Sequence, residues 1–246
     1  MKKRLDVLLV EKNIVSSREK AQAFIMEGKV LVNGKPITKA GTTVGVDDSI
    51  LLLEEEKFVS RAGYKLENAI KDFDVDVSDK TCLDIGSSTG GFTDCLLQYG
   101  AKLIYAVDVG HLQMHEKLRK HPKVFLFEDT DIRVFQKPEN IEFDIITVDV
   151  SFISLKKISE YIKKLSSSHT KLLMLVKPQF ELSPKYLKKG IVKDESARLM
   201  ALESVISHFE STGFKLVMQT KAHPKGTKGN EEFFTYFTTK EYNGIE

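Results

Sequence analysis

Residues 80–110, KTCLDIGSSTGGFTDCLLQYGAKLIYAVDVG, constrain the fold of this chain more than any other stretch. Thr81 to Ile85 is a short apolar segment carrying Asp84 at its tip, and the loop Gly86-Ser87-Ser88-Thr89-Gly90-Gly91 follows. From Phe92 to Tyr99 the apolar residues fall at helical spacing, and Leu103 to Val107 is a second buried-strand candidate ending in Asp108. The unit is therefore a βαβ crossover with an acid at the tip of each strand. In open α/β sheets ligands sit beyond the carboxyl ends of the strands, where glycines let the backbone approach and a helix N-terminus is electropositive. Such a run predicts a nucleotide-type site.

The rest of the chain extends this unit. Val124 to Phe127, Phe143 to Val148 ending in Asp149, Lys171 to Val176 ending in Lys177-Pro178, Leu216 to Gln219 and Phe233 to Thr238 read as further strands. Leu112 to Arg119, Leu155 to Leu165 and Ser196 to Phe209 have helical apolar spacing, and alternation of this kind predicts a doubly wound α/β sheet. Upstream, Ser60 is placed to cap a helix through about Lys71, with Leu66, Ala69 and Ile70 on the buried side and Lys65 at its solvated edge.

The first 56 residues read as a separate α+β module. Leu5 to Val10 make a short helix, and Ser16-Ser17-Arg18-Glu19 has the spacing of a capping box that opens a second, which Gly28 ends. Val30 to Val32 is a strand, Asn33-Gly34 is the dipeptide favoured by a two-residue hairpin, and Ile50 to Leu53 is another strand. The acidic run Glu54-Glu55-Glu56-Lys57 marks the boundary, dividing the chain into 1–56 and 57–246. The formal net charge of +2 is unevenly spread: Met1 to Gly45 holds nine cations against four carboxylates, which points to a polyanion partner.

Several function classes are disfavoured. Cys82 and Cys95 form no C-x-x-C pair and read as buried thiols of a reduced, cytoplasmic protein. The Met-Lys-Lys-Arg start leads into too short and too charged a run for a secretory signal, and no apolar run has the length of a membrane span. His111 and His115, four apart on the expected 112–119 helix or at its edge, lack the Glu of H-E-x-x-H, so no metal site is expected.

Three chemistries compete for the glycine loop. A dinucleotide fold wants G-x-G-x-x-G where this chain has G-x-x-x-G-G, and a P-loop needs a lysine that is missing here. Gly86-Ser87-Ser88-Thr89-Gly90 satisfies the nucleophile-elbow pattern G-x-S-x-G, and Asp149 and His223 follow in the order of a hydrolase triad. An elbow, however, follows several strands, whereas this loop follows the first of its domain. Acids 24 residues apart around a glycine loop without a phosphate-gripping lysine suit a phosphate-free nucleoside cofactor. S-adenosylmethionine fits, with Asp108 on the ribose, the loop backbone beneath the cofactor and Asp84 near its aminocarboxyl end.

The N-terminal pattern Arg4-Leu5-Asp6, Ser17-Arg18, Ala21, Ile25, Gly28, Val30 and Val32-Asn33-Gly34 resembles the S4 RNA-binding domain. That resemblance implies RNA contacts by Arg4, Arg18 and Lys20. Lys65, Asp149, Lys177 and Glu232, in this order, resemble the catalytic tetrad of FtsJ-like ribose 2′-O-methyltransferases. With Asp84-Ile85-Gly86, Ser88 to Asp94, Asp108-Val109-Gly110, Asp149 to Ser154, Lys177 to Glu181 and Gly229-Asn230-x-Glu232, the chain is similar to the TlyA family nearly end to end. The family implies a Rossmann-like methyltransferase sheet of about seven strands, the last antiparallel, behind a small S4 domain. It implies methyl transfer from S-adenosylmethionine to a ribose 2′-hydroxyl of ribosomal RNA, free or in ribosomal subunits. Cofactor contacts would come from Asp84, Gly86, Ser88, Thr89, Gly90, Gly91, Phe92, Asp108 and Asp149.

A ribose hydroxyl is a poor nucleophile at neutral pH, so it needs a base or a cation beside the developing alkoxide. Lys177 is the candidate; to act as a base it needs a lowered pKa, which desolvation and Lys65 favour and the carboxylates oppose. Ala62, where a glycine is frequent, and Asp131, where asparagine is common, depart from the family pattern. The rival readings are a non-catalytic RNA-binding protein that senses the cofactor, a serine hydrolase using Ser88, and the haemolysin role that names many TlyA relatives. For the last, the sequence has neither a spanning segment nor a run of alternating strands suited to a barrel. Oligomeric state has no sequence signature.

Overall fold

The computed structural model describes residues 1–53 and 56–240 and divides the chain into two compact units, Met1–Lys57 and Phe58–Glu246. Of the acidic run expected to mark the boundary, Glu54 and Glu55 lie outside the described residues.

The first unit runs β1 (Lys2–Arg4), α1 (Leu5–Glu11), α2 (Arg18–Met26), β2 (Val30–Val32), β3 (Lys35–Ile37), β4 (Thr43–Gly45) and β5 (Ile50–Leu52). β2 is the centre of a three-stranded antiparallel sheet, and β1 pairs antiparallel with β4. The β2–β3 turn is the expected one, with Asn33 at φ 50° and Gly34 at φ 78°, as a type I′ hairpin demands. Leu5, Leu8, Leu9, Ala21, Ile25 and Val30 form its core. The capping box is shifted by one residue: Ser17, extended at φ −151°, is the cap, and its Oγ accepts from Lys20 N at 3.3 Å. Lys20 then stands where the box requires a carboxylate, so the reciprocal half of the box is missing. β1 and β4, three residues each, are too short to show as alternation in the sequence.

The second unit runs α3 (Arg61–Asp72), β6 (Thr81–Ile85), α4 (Gly91–Gln98), β7 (Leu103–Val107), α5 (Glu116–Arg119), β8 (Val124–Phe127), β9 (Phe143–Val148), α6 (Ser159–Leu165), β10 (Ser166–Val176), α7 (Pro178–Glu181), α8 (Glu195–Ser211), β11 (Phe214–Lys221) and β12 (Phe233–Thr239). Its seven strands lie in the order β11-β12-β10-β9-β6-β7-β8. Only β12 is reversed, antiparallel to both β10 and β11. The chain steps outward from β6 to β7 and β8, then returns to lay β9 on the other side of β6. That reversal opens a crevice at the carboxyl ends of β6 and β9, the place where open α/β sheets take ligands. Two apolar clusters cover the sheet, one including Leu83, Ile146, Leu172 and Phe237, the other Cys82, Ile145, Leu173 and Phe234.

Two helix expectations are corrected. Of Leu112 to Arg119 only α5 is helical; Leu112 sits at φ 51°, which an L-residue does not hold inside a helix. His111 and His115 therefore do not share a helix face: His111 Nδ1 is 2.7 Å from Asp129 Oδ2, and His115 caps α5. Leu155 to Leu165 is broken into a single 3₁₀ turn, Leu155–Lys157, and α6. β10 begins at Ser166, five residues earlier than expected, because its polar Ser-Ser-Ser-His start hides the strand and its pairing with β9 is irregular there. Among the described residues no helix is long and apolar enough to cross a membrane.

Candidate active site

A cavity of about 340 Å³ occupies the crevice, with Gly86, Ser88, Asp108, Ile132, Asp149 and Phe152 among its walls. It falls in the size range of small-molecule sites. Gly86 is required there on two counts. Its φ is +82°, and a Cβ would lie 2.7 Å from the Asp149 carbonyl oxygen, so the β6 loop passes directly against the end of β9. The half-buried Asp108 carboxylate is fixed from behind, Oδ2 accepting from Ser88 N at 2.8 Å and Oδ1 from Gly110 N at 2.6 Å. Each oxygen keeps a lone pair for a hydroxyl donor. Asp131 also lines the cavity, its carboxylate held by Arg133 Nε at 2.9 Å and Nη2 at 2.6 Å. The guanidinium lowers the Asp131 pKa below the usual carboxylate range.

Asp84 is not among the cavity walls. It is fully buried beneath the loop, Oδ2 accepting from Thr93 Oγ1 at 2.7 Å and Oδ1 from Thr147 Oγ1 at 3.1 Å. Burial pushes its pKa up to about 7; the two hydroxyls pull the other way and the Asp149 charge adds to the rise. Thr89, Gly90, Gly91 and Phe92 are also outside the cavity lining. The Thr89 carbonyl accepts from His115 N, Gly90 and Gly91 begin α4, and the buried Phe92 ring stacks on Phe234 with centroids 5.8 Å apart. Of the nine expected cofactor residues, the fold brings Gly86, Ser88, Asp108 and Asp149 to the cavity. Of the other five, Asp84 is buried beneath the loop, Thr89, Gly90 and Gly91 form its far end, and Phe92 lies in the core.

The expected tetrad is assembled as two ion pairs. Lys177, at the end of β10, reaches Asp149 Oδ1 on the adjacent β9 at 2.7 Å and donates to Ser151 Oγ at 2.9 Å. Lys65, on α3, meets Glu232 Oε2 at 2.6 Å, and Gln179 Nε2 donates to Glu232 Oε1 at 3.0 Å. Lys65 is only 8% exposed, although a lysine at a helix edge is usually solvated. Its carboxylate partner comes from 167 residues away, a distance no helical pattern encodes. Gly226 makes room for that partner, because a Cβ at this position would fall 2.1 Å from Glu232 Oε1.

Ser151, Phe152 and Gln179 appear in the sequence only as motif residues without a role, and Gly226 has no sequence signal; Ser151, Gln179 and Gly226 touch the tetrad. Phe152 is 91% exposed at φ 65°, tilted against Phe180 with centroids 5.1 Å apart, at the cavity wall. It lies within the motif stretch Asp149 to Ser154, but an aromatic beside a strand reads as core. The Ser88 hydroxyl donates to Gln113 Oε1 at 3.1 Å, a partner that cannot serve as the base of a hydrolase. In the first unit Arg4 and Arg18 converge on the Asp6 carboxylate, while Lys20 is exposed and is not a partner of Asp6.

The chain matches the FtsJ-like methyltransferase family over residues 58–239 and the S4 domain family over residues 3–50. It is 43% identical to the protein named Hemolysin A of Brachyspira hyodysenteriae, covering 95% of this chain and 99% of that one. It is 38% identical to the protein named 23S rRNA (cytidine-2′-O)-methyltransferase TlyA of Campylobacter jejuni, covering 93% and 96%. Among solved structures, one named "Putative hemolysin from Streptococcus thermophilus" superposes with a TM-score of 0.74 at 35% identity, covering 98% of this chain and 90% of that one. A glycine-loop cavity, the Lys177–Asp149 pair at its wall and family matches along nearly the whole length make this chain a member of the FtsJ-like methyltransferase family that carries an S4 domain ahead of its methyltransferase unit.

Proposed function

We propose that this protein transfers a methyl group from S-adenosylmethionine to a ribose 2′-hydroxyl of ribosomal RNA, as the names of its relatives say of them. The observation that carries the proposal is the double duty of Asp149, which lines the cavity and holds Lys177 at 2.7 Å, so the nucleoside site and the acceptor site share one carboxylate. The residues fit the cofactor: Gly86 presents bare backbone, Asp108 offers acceptors suited to ribose hydroxyls, and Val109, Ile132 and Ile153 give an apolar slot for a purine. When bound, S-adenosylmethionine supplies an electrophilic methyl group.

The chain's own residues do the rest. Lys177, held by Asp149 and Ser151, keeps its ammonium where negative charge develops as the ribose oxygen attacks. The Lys65–Glu232 pair, braced by Gln179, flanks the acceptor nucleotide and keeps this neighbourhood charge-balanced. The exposed Phe152 ring offers a face on which an unstacked base can rest. Asp84 and Phe92 set the shape of the loop from below, and Thr89, Gly90 and Gly91 carry it into α4. Arg4, Arg18 and Lys20 hold RNA by its phosphates, and with a ribosomal substrate the place of work is the cytoplasm.

Incubation with labelled S-adenosylmethionine and purified ribosomal subunits tests this. Label is expected on RNA ribose with the wild type and not with Lys177→Ala. Wild type that binds RNA and cofactor yet transfers no label to any particle would establish the non-catalytic alternative. Ester hydrolysis abolished by Ser88→Ala, without cofactor binding, would establish the hydrolase.

A further inference from the structure

Asp6 is a fully buried acid in a stretch, Met1 to Gly45, that holds nine cations against four carboxylates. Its carboxylate receives four N–H donors: Arg4 Nε on Oδ1 at 3.0 Å, then Arg4 Nη2 at 2.9 Å, Arg18 Nε at 2.9 Å and Gln22 Nε2 at 3.0 Å, all on Oδ2. The two guanidinium groups, from β1 and from the first turn of α2, thus share one carboxylate oxygen and lie side by side. The arginine side chains are nonetheless 49% and 51% exposed. A guanidinium has five N–H donors in a planar fork. Arg4 uses two on Asp6 and Arg18 uses one, so both keep donors facing water. Gly41 lies under the Arg4 end, where a Cβ would be 3.4 Å from Nη1.

An arginine on a solvated surface has rotamer entropy to lose when it grips a ligand. Two arginines locked to one buried acid have lost much of it before the ligand arrives. We propose that Asp6 makes Arg4 and Arg18 into a single preorganised two-guanidinium fork that seats an RNA phosphodiester, so that this buried negative charge is required for RNA affinity. The inference rests on the RNA-substrate reading above and adds a positioning residue to it. Its sign is opposite to charge counting, by which removal of any acid tightens binding to a polyanion.

The test compares full-length wild type, Asp6→Asn, Arg4→Lys with Arg18→Lys, and the triple variant, for binding to ribosomal RNA extracted from purified subunits, across a salt series. Asp6→Asn is expected to bind about tenfold more weakly although it is one charge more positive. The double lysine variant keeps both charges and is expected to lose a similar factor with an unchanged salt slope, since lysine cannot make the bidentate contact. The triple variant is then expected to be no weaker than the double. Thermal unfolding reports whether the module stays folded. If Asp6→Asn unfolds it, the double lysine variant, with Asp6 intact, decides the question. Equal or tighter binding by folded Asp6→Asn, or undiminished binding by the double lysine variant, overturns the inference. Wild type that does not hold RNA overturns the proposed function and this inference with it; wild type that binds beside equally tight variants overturns this inference alone.

Discussion

Asp6 and Asp84 are both fully buried, one in each unit, and their surroundings drive them in opposite directions. The Arg4 guanidinium, with Gln22 and Arg18, holds the Asp6 carboxyl far below the usual carboxylate range, although burial works against it. Around Asp84 the partners are the neutral hydroxyls of Thr93 and Thr147, and burial wins. The same contrast separates the charged clusters of the two units. In the first, one buried acid anchors two arginines whose outer faces meet water, leaving a local positive charge turned outward. In the second, each lysine of the site has its own carboxylate: Lys177 with Asp149, Lys65 with Glu232. An unbalanced surface attracts a polyanion from a distance. A balanced interior attracts nothing, but it holds an ammonium in place for a charge that appears only during reaction.

Four measurements break or sharpen this contrast. Lys177→Ala is expected to lower turnover by about 10³-fold while RNA affinity and cofactor affinity stay near wild type. A variant that instead loses RNA affinity would erase the distinction between gripping and reacting cations. Next, Glu232→Ala strands the Lys65 ammonium, and a destabilisation of about 3–5 kcal/mol is expected in denaturant titration. Replacing both members by Met is expected to restore much of it, which would show that the penalty comes from the unpaired charge. The two smaller effects concern pH. Asp84 binds its proton more tightly folded than unfolded, so its contribution to stability falls as pH rises from about 4 to about 7 and is level beyond. Asp84→Asn should remove that slope from a series of melting curves. Asp6 has the opposite sign: its stabilisation is present above about pH 4 and is lost on acidification, and Asp6→Asn should flatten the acid limb alone. Finding both slopes with the same sign would refute the account of the two surroundings.

The sequence was most legible where burial is nearly complete on both faces of the sheet. Thr81–Ile85, Leu103–Val107 and Phe143–Val148, largely buried on both faces, are strands with the bounds their apolar runs predict, and so is the edge strand Val124–Phe127, where Phe125 is 43% exposed. Where the backbone leaves the regular menu, the pattern misleads. The apolar spacing over 112–119 looks helical, yet Leu112 sits at positive φ and the helix is one turn. The site divides along the same line. Gly86 and Asp108 are recognisable because a turn and a strand tip are local events. Lys65 is not: alone on its helix it reads as solvated, and only β12, arriving 167 residues later with Glu232, makes its burial tolerable.

By itself, then, the sequence determined the order of strands and helices, the glycine loop, the acid at each strand tip and the basic head, because these depend on residue periodicity and on backbone conformations that few residue types can adopt. It also carried the resemblance that named the chemistry. Tertiary structure alone decided which side of the loop each residue serves: Asp84 points under it, Asp108 lies at the cavity, and Phe92 goes into the core. It also decided that four charged residues become two pairs, and that Asp6 is the common anchor of Arg4 and Arg18. Ion pairing and burial are set by what folds in from far along the chain, and the free energy of a charge depends on that company rather than on its neighbours in sequence.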